Sequence, residues 1–179
     1  MRKLFRMVAV LLLLAGSSFS TAHAGWDPAE DEQVRVSVEN FKKTNPWLMR
    51  FFDNAYGYAV FPDAYKGGVF VIGLARGSGY VYESGRLIGR SSVTQFNAGP
   101  QLGVQSFSEV VFFRDRDVFE KFKRGNFEFT AQAGVVVLTA GTATNTDYSN
   151  GVAVFILPKA GVMAELSIGG QKFSFEPNY

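Results

Sequence analysis

The sequence predicts an α+β fold: N-terminal helices packed on a curved, mainly antiparallel sheet, a sandwich or partly closed barrel, with one further short helix. Three observations predict it. Helical periodicity is confined to residues 28–55 and 115–124, and the rest of the chain to residue 176 is a series of short apolar runs punctuated by Gly, Pro and Asn. Neighbouring runs are only a few residues apart, whereas a parallel return needs a crossover of about a dozen or more. Glycines inside the runs, at Gly73, Gly103 and Gly134, mark bends that curl the sheet.

The chain opens with Arg2, Lys3 and Arg6, a short apolar run dominated by Leu11 to Leu14, and Ala22-His23-Ala24. This is the pattern of a secretory signal peptide with an A-x-A cleavage site, expected over residues 1–24. A membrane-anchoring helix needs about 20 apolar residues, and Gly16, Ser17, Ser18 and Ser20 interrupt the run first. Removing 24 of 179 residues leaves 155, enough for one domain over 25–179 with a helical region at 28–55 and a β-rich region at 56–176. The 18 Lys and Arg fall by three to 15, against 16 Asp and Glu, so the net charge of +2 becomes −1. A nucleic-acid partner loses its electrostatic basis. With no cysteine, stability rests on packing, and the 18 Phe, 7 Tyr and 2 Trp supply it.

Asp27-Pro28-Ala29-Glu30 has the form of a helix start, and Val34, Val38 and Phe41 repeat along one face until about Thr44. Asn45-Pro46 repeats the start signal for a second helix to residue 55, with Trp47, Leu48, Phe51, Phe52 and Ala55 on one side. The third helix begins at Asp115 as cap. It carries Val118, Phe119 and Phe122 on one face, pairs Glu120 with Arg124 by spacing and stops at Gly125.

Eleven short strands are expected: 58–61, 68–74, 79–83, 87–92, 101–107, 109–113, 127–133, 135–140, 152–157, 162–168 and 172–175. Ser84-Gly85 reads as a tight hairpin turn. The run Val110 to Phe113 is apolar throughout, as a strand covered on both faces requires.

Catalytic chemistry is sparse. After cleavage no His or Cys remains, which removes imidazole bases, thiol nucleophiles and the usual zinc ligands. Asp115 and Asp117 diverge on a helix, and Asp115 reads as a cap. The run Gly73 to Gly79 lacks the Gly-Lys-Ser/Thr ending of a phosphate loop and has Arg76 where a G-x-S-x-G elbow needs glycine, so it reads as a hairpin or bulge. Residues 145–151 carry oxygen ligands without the acid spacing of a calcium loop and read as a polar turn. No catalytic residue, metal ligand or cofactor is expected. The second helix has more content: Trp47, Leu48, Phe51 and Phe52 with Arg50, near Lys42 and Lys43, form a face able to enter a membrane interface. An apolar helix stripe more usually packs as core, on the sheet.

An ordered set of segments runs through the β-rich region: Ala59-Val60-Phe61-Pro62, Lys66-Gly67-Gly68, the glycines of 73–79, Gln101 to Gln105, Val110 to Phe113, Phe119 to Phe129, Asn145-Thr146-Asp147 and Gly169 to Lys172. With these the chain, from Tyr56 to Phe175, resembles the SYLF domain family, a lipid-binding module of bacteria and of eukaryotic adaptor proteins. The resemblance implies a non-enzymatic protein that binds acidic phospholipids, partly through a basic amphipathic N-terminal helix. On it, Lys42, Lys43, Trp47, Leu48, Arg50, Phe51 and Phe52 are the expected lipid-binding residues. The expected partner is a phospholipid or membrane surface, in the periplasm or cell envelope. An envelope structural or protein-interaction module is the first alternative, and a hydrolase working without His or Cys the second.

Overall fold

The computed structural model describes residues 28–125, 127–129, 135–137, 147–161 and 170–178. Helix α1, Pro28–Thr44, runs over the expected range. Its Val34 and Phe41 are buried, while Arg35 on the outer face bridges Glu32 and Glu39. The second helical segment differs from the expected single helix over 46–55. It is a 3₁₀ turn, Pro46–Leu48, followed by helix α2, Met49–Asn54. The Asn45 side chain accepts from the Trp47 N–H at 3.1 Å, which satisfies an amide of the tight turn. Helix α3, Arg116–Lys123, is capped by Asp115, which accepts from the Val118 N–H at 3.1 Å. Glu120 pairs with Lys123 at 2.8 Å, one position short of the expected Arg124.

Six of the expected strands are two. Strand β1 runs from Gly57 to Glu83 and β2 from Arg86 to Phe113, joined by Ser84 and Gly85. Both turn residues have positive φ, 50° and 77°, as a two-residue hairpin matching strand twist demands. The features that read as breaks are absorbed as irregularities, with register shifts between Phe61 and Ala64 and between Phe70 and Ile72. Pro62 falls inside the first shift, where its missing N–H breaks no ladder bond, and its carbonyl accepts from the Ser108 hydroxyl at 2.7 Å. The 73–79 segment is likewise continuous strand rather than a hairpin.

The hairpin coils back on itself. Ala59 and Val81 share one core cluster, yet a straight strand would hold them about 70 Å apart at roughly 3.3 Å per residue. The start of β1 therefore lies against its end. Tyr56 accepts at its carbonyl from the Ser84 N–H at 3.1 Å and donates its hydroxyl to Glu83 at 2.7 Å. At this crossing a side chain has no room: a Cβ on Gly79 would stand 2.4 Å from the Val60 carbonyl oxygen. The glycines that resemble a loop signal in the sequence are clearance for a second layer of backbone.

β2 is the hub of the sheet. One edge pairs with β1 along its length. The other pairs antiparallel with β6 (Gly170–Pro177) over Gly89–Phe96 and with β5 (Val152–Gly161) over Gln105–Phe113. β3 (Phe127–Phe129) adds to β6, and β4 (Val135–Val137) adds to β5 in parallel. That parallel pair departs from the expected meander, because residues 138–151 leave enough chain for a return. Among the described residues the sheet is open. The expected strand 162–168 and Gly134 lie outside them.

Val110 to Phe113 are all fully buried, because the two faces of β2 meet different covers. Val111 and Phe113 face Phe119 and Phe122 of α3, with the Phe113 and Phe122 rings 4.6 Å apart. Val110 and Phe112 share a cluster with Phe41 and with Phe51, whose ring lies 5.3 Å from that of Phe112. Each such Phe contributes about 2–3 kcal/mol of apolar burial.

Candidate functional site

The 46–54 segment divides the expected lipid-binding face in two. Leu48 and Phe51 are core residues, 0% and 2% exposed, and Phe51 touches Phe112, Phe155 and Tyr148 ring to ring at 5.1–5.3 Å. For these two the packing alternative describes their place. Phe52 is half-buried, edge-on to Phe112 at 4.8 Å, with the Lys42 ammonium 5.0 Å above its ring. Trp47 is also half-buried, and the Arg50 guanidinium lies 3.4 Å over its indole. Lys43 and Arg50 are exposed, as is Met49 at 49%. The 3₁₀ turn produces this division, since it changes the angular step before α2 begins and sends Met49 outward while Leu48 points in. What remains at the surface is an amphipathic rim of Trp47, Met49 and Arg50 flanked by Lys42 and Lys43.

A second site was not expected. Along the inward face of β2 every second residue runs Phe113, Val111, Glu109, Phe107, Gln105, so a carboxylate is set into an apolar row. Glu109 is fully buried. Gln171 of β6 spends both amide protons here, donating to Glu109 Oε2 at 2.9 Å and to Gln95 Oε1 at 3.3 Å. Glu109 Oε1, Gln171 Oε1 and Gln105 Oε1 have no partner among the described residues. Burial pushes the Glu109 carboxyl up to about 8, with the Gln171 hydrogen bond pulling more weakly the other way. Protonated, Glu109 turns one of these three acceptors into an O–H donor and leaves Gln171 Oε1 and Gln105 Oε1. Lys66, which pairs with Gln105 across the β1–β2 ladder, is 1% exposed.

No protein-family model matches the chain. One relative is the Beta cell expansion factor A of Aeromonas veronii, 26% identical over 158 residues. The match covers 82% of this chain and 59% of that protein.

The polar centre left one trace in the sequence. Splitting the strand at Ser108 hides the period-two relation of Gln105, Phe107, Glu109 and Val111, whereas one continuous strand puts Glu109 among buried neighbours at once. Gln95 and Gln171 left none, because their approach depends on β6 pairing with the first half of β2. Asp115, considered as an acid beside Asp117, serves as a cap, and hydrogen bonding to Val118 holds its carboxyl below the usual range.

Proposed function

We propose that this chain is an exported, non-enzymatic lipid- or membrane-surface-binding protein of the cell envelope, of the kind that SYLF modules represent. The observation that carries the reading is the amphipathic rim of the second helical segment. Trp47 offers an aromatic body with the Arg50 charge stacked on it, Met49 is exposed beside it, and Lys43 adds a cation. Aromatic and aliphatic side chains at headgroup depth with cations around them are the pattern of an interfacial contact. Leu48 and Phe51 act indirectly in this reading, by anchoring the rim to the sheet.

The test uses vesicles of anionic and of neutral lipid with a Trp26→Phe background, so that emission reports Trp47. Flotation with anionic vesicles and a blue shift are expected. Arg50→Glu should weaken binding by about 2 kcal/mol, at roughly 1 kcal/mol per unit of charge near the surface, without changing the melting temperature. Protein that stays with the soluble fraction for both vesicle types overturns the proposal. Recovery of a stoichiometric envelope protein in that case would move the reading to an interaction module, for which Leu74 and Phe96, exposed and directly paired across the β1–β2 ladder, are the contact residues.

A further inference from the structure

The outer face of the coiled hairpin carries a groove of about 490 Å³ between α1 and the strands, which shares no lining residue with the Trp47 rim. Its volume lies in the range of small-ligand sites, about 300–1,000 Å³. Ladder register explains its chemistry, because Arg76 pairs with Thr94 and Ser78 with Ser92, two rungs separated by the Gly77–Val93 rung, so these four side chains project from the same face. Ser92 continues the row into β6, its hydroxyl 2.7 Å from that of Ser174. Hydroxyl follows hydroxyl across three strands.

Charge in the groove is one-sided. Asp63 is bound by Lys159 at 2.8 Å, which offsets its charge. Arg76 is exposed and has no carboxylate partner among the described residues. Its guanidinium is a planar fork of donors, suited to a carboxylate or phosphate in two-point contact. At the rim, Tyr65 is 61% exposed, which leaves much of its ring open to a ligand. An aromatic platform, a row of hydroxyls and a single fork-shaped cation together match one ligand class. The apolar face of a sugar ring lies on tyrosine, its hydroxyls exchange hydrogen bonds with serine and threonine, and an acid group meets arginine.

We infer that this groove binds an acidic saccharide, with Tyr65 as the stacking platform, Ser78, Ser92 and Thr94 as hydroxyl partners and Arg76 as the acid-binding residue. The site is independent of the lipid-facing rim, so either can fail without the other. The test titrates the intact protein with glucuronic acid, glucose and inorganic phosphate, following the amides of residues 76–78 and 92–94 by NMR. Glucuronic acid should shift them saturably, with glucose weaker and phosphate weaker still. Arg76→Gln should weaken glucuronic acid about tenfold, the loss of one charge-assisted contact, and bring its affinity to that of glucose. Thr94→Val and Tyr65→Ala should weaken both sugars. An unsaturated response to glucuronic acid, an Arg76→Gln variant that binds it as well as the parent, or phosphate binding as tightly as the sugar acid would each overturn the inference. Arg76 and Tyr65 are exposed, so their variants keep the fold, and an unchanged melting temperature verifies it.

Discussion

The two ends of the coiled sheet are built on opposite rules. At the end covered by α3 the interior is a stack of aromatic rings, Phe113, Phe119, Phe122 and Phe173, closed outside by Tyr56, Glu83 and Lys123. Further along the same strands the inward row turns polar at Glu109, Gln171 and Gln105, while Tyr65, Phe96 and Val104 stand exposed at 61–66%. Polar side chains have entered the inward row there, on either side of the buried Phe107. The difference teaches that one continuous hairpin carries both stability and liability: the first end holds the fold, and the second stores unsatisfied groups that a structural core would discard.

The comparison breaks most sharply at the aromatic end. Phe113→Ala removes a fully buried ring packed 4.6 Å from Phe122 and 5.4 Å from Phe119. It should cost about 3–5 kcal/mol, read as a large fall in the urea midpoint. A loss below about 1 kcal/mol would mean that this end is loosely packed after all.

Glu109→Gln probes the polar end and should show in pH dependence. The ordinary carboxyl value is 4.5 and the folded value about 8. Below pH 4.5 both states are protonated and Glu109 costs nothing. Between 4.5 and 8 the unfolded chain ionises while the folded one holds its proton, so stability falls as pH rises and levels above 8. The parent should lose a few kcal/mol between pH 5 and 8, and Glu109→Gln should lose far less. Urea midpoints across that window decide it, and parallel curves for the two proteins would refute the assignment.

These ends were unequally legible in the sequence. Helix α3, the Asp115 cap, the Ser84-Gly85 turn and the doubly covered Val110 to Phe113 run all follow from local chemistry, in which a cap, a turn or a period of apolar residues acts within a few positions. The merging of six runs into β1 and β2 does not. Pro62 and the 73–79 glycines are turn residues on any local rule, and only the return of β1 across its own start makes them strand residues. The candidate rim was half legible for a similar reason: helical spacing puts Leu48 and Phe51 on a stripe with Trp47 and Phe52, but the 3₁₀ turn decides which of them reach solvent.

The smallest effect expected sharpens the contrast instead of breaking it. Phe96→Ser alters a ring 61% exposed and should move stability by no more than about 0.5 kcal/mol. Thermal unfolding that drops as it does for Phe113→Ala would place Phe96 in a core and erase the distinction between the ends.

The way β2 shares its outer edge has a consequence for the order in which the molecule can be finished. Its second half pairs with β5, but its first half, Gly89–Phe96, pairs with Gly170–Pro177. Synthesis delivers the whole β1–β2 hairpin at residue 113, long before either partner exists. From then until the C-terminal strand emerges, the centre of the future sheet is a raw edge, with a row of open amides and carbonyls facing any extended chain nearby. Residues 170–177 are thus the ones that cover the first half of β2, and a chain cut short before Gly170 leaves that edge without its partner.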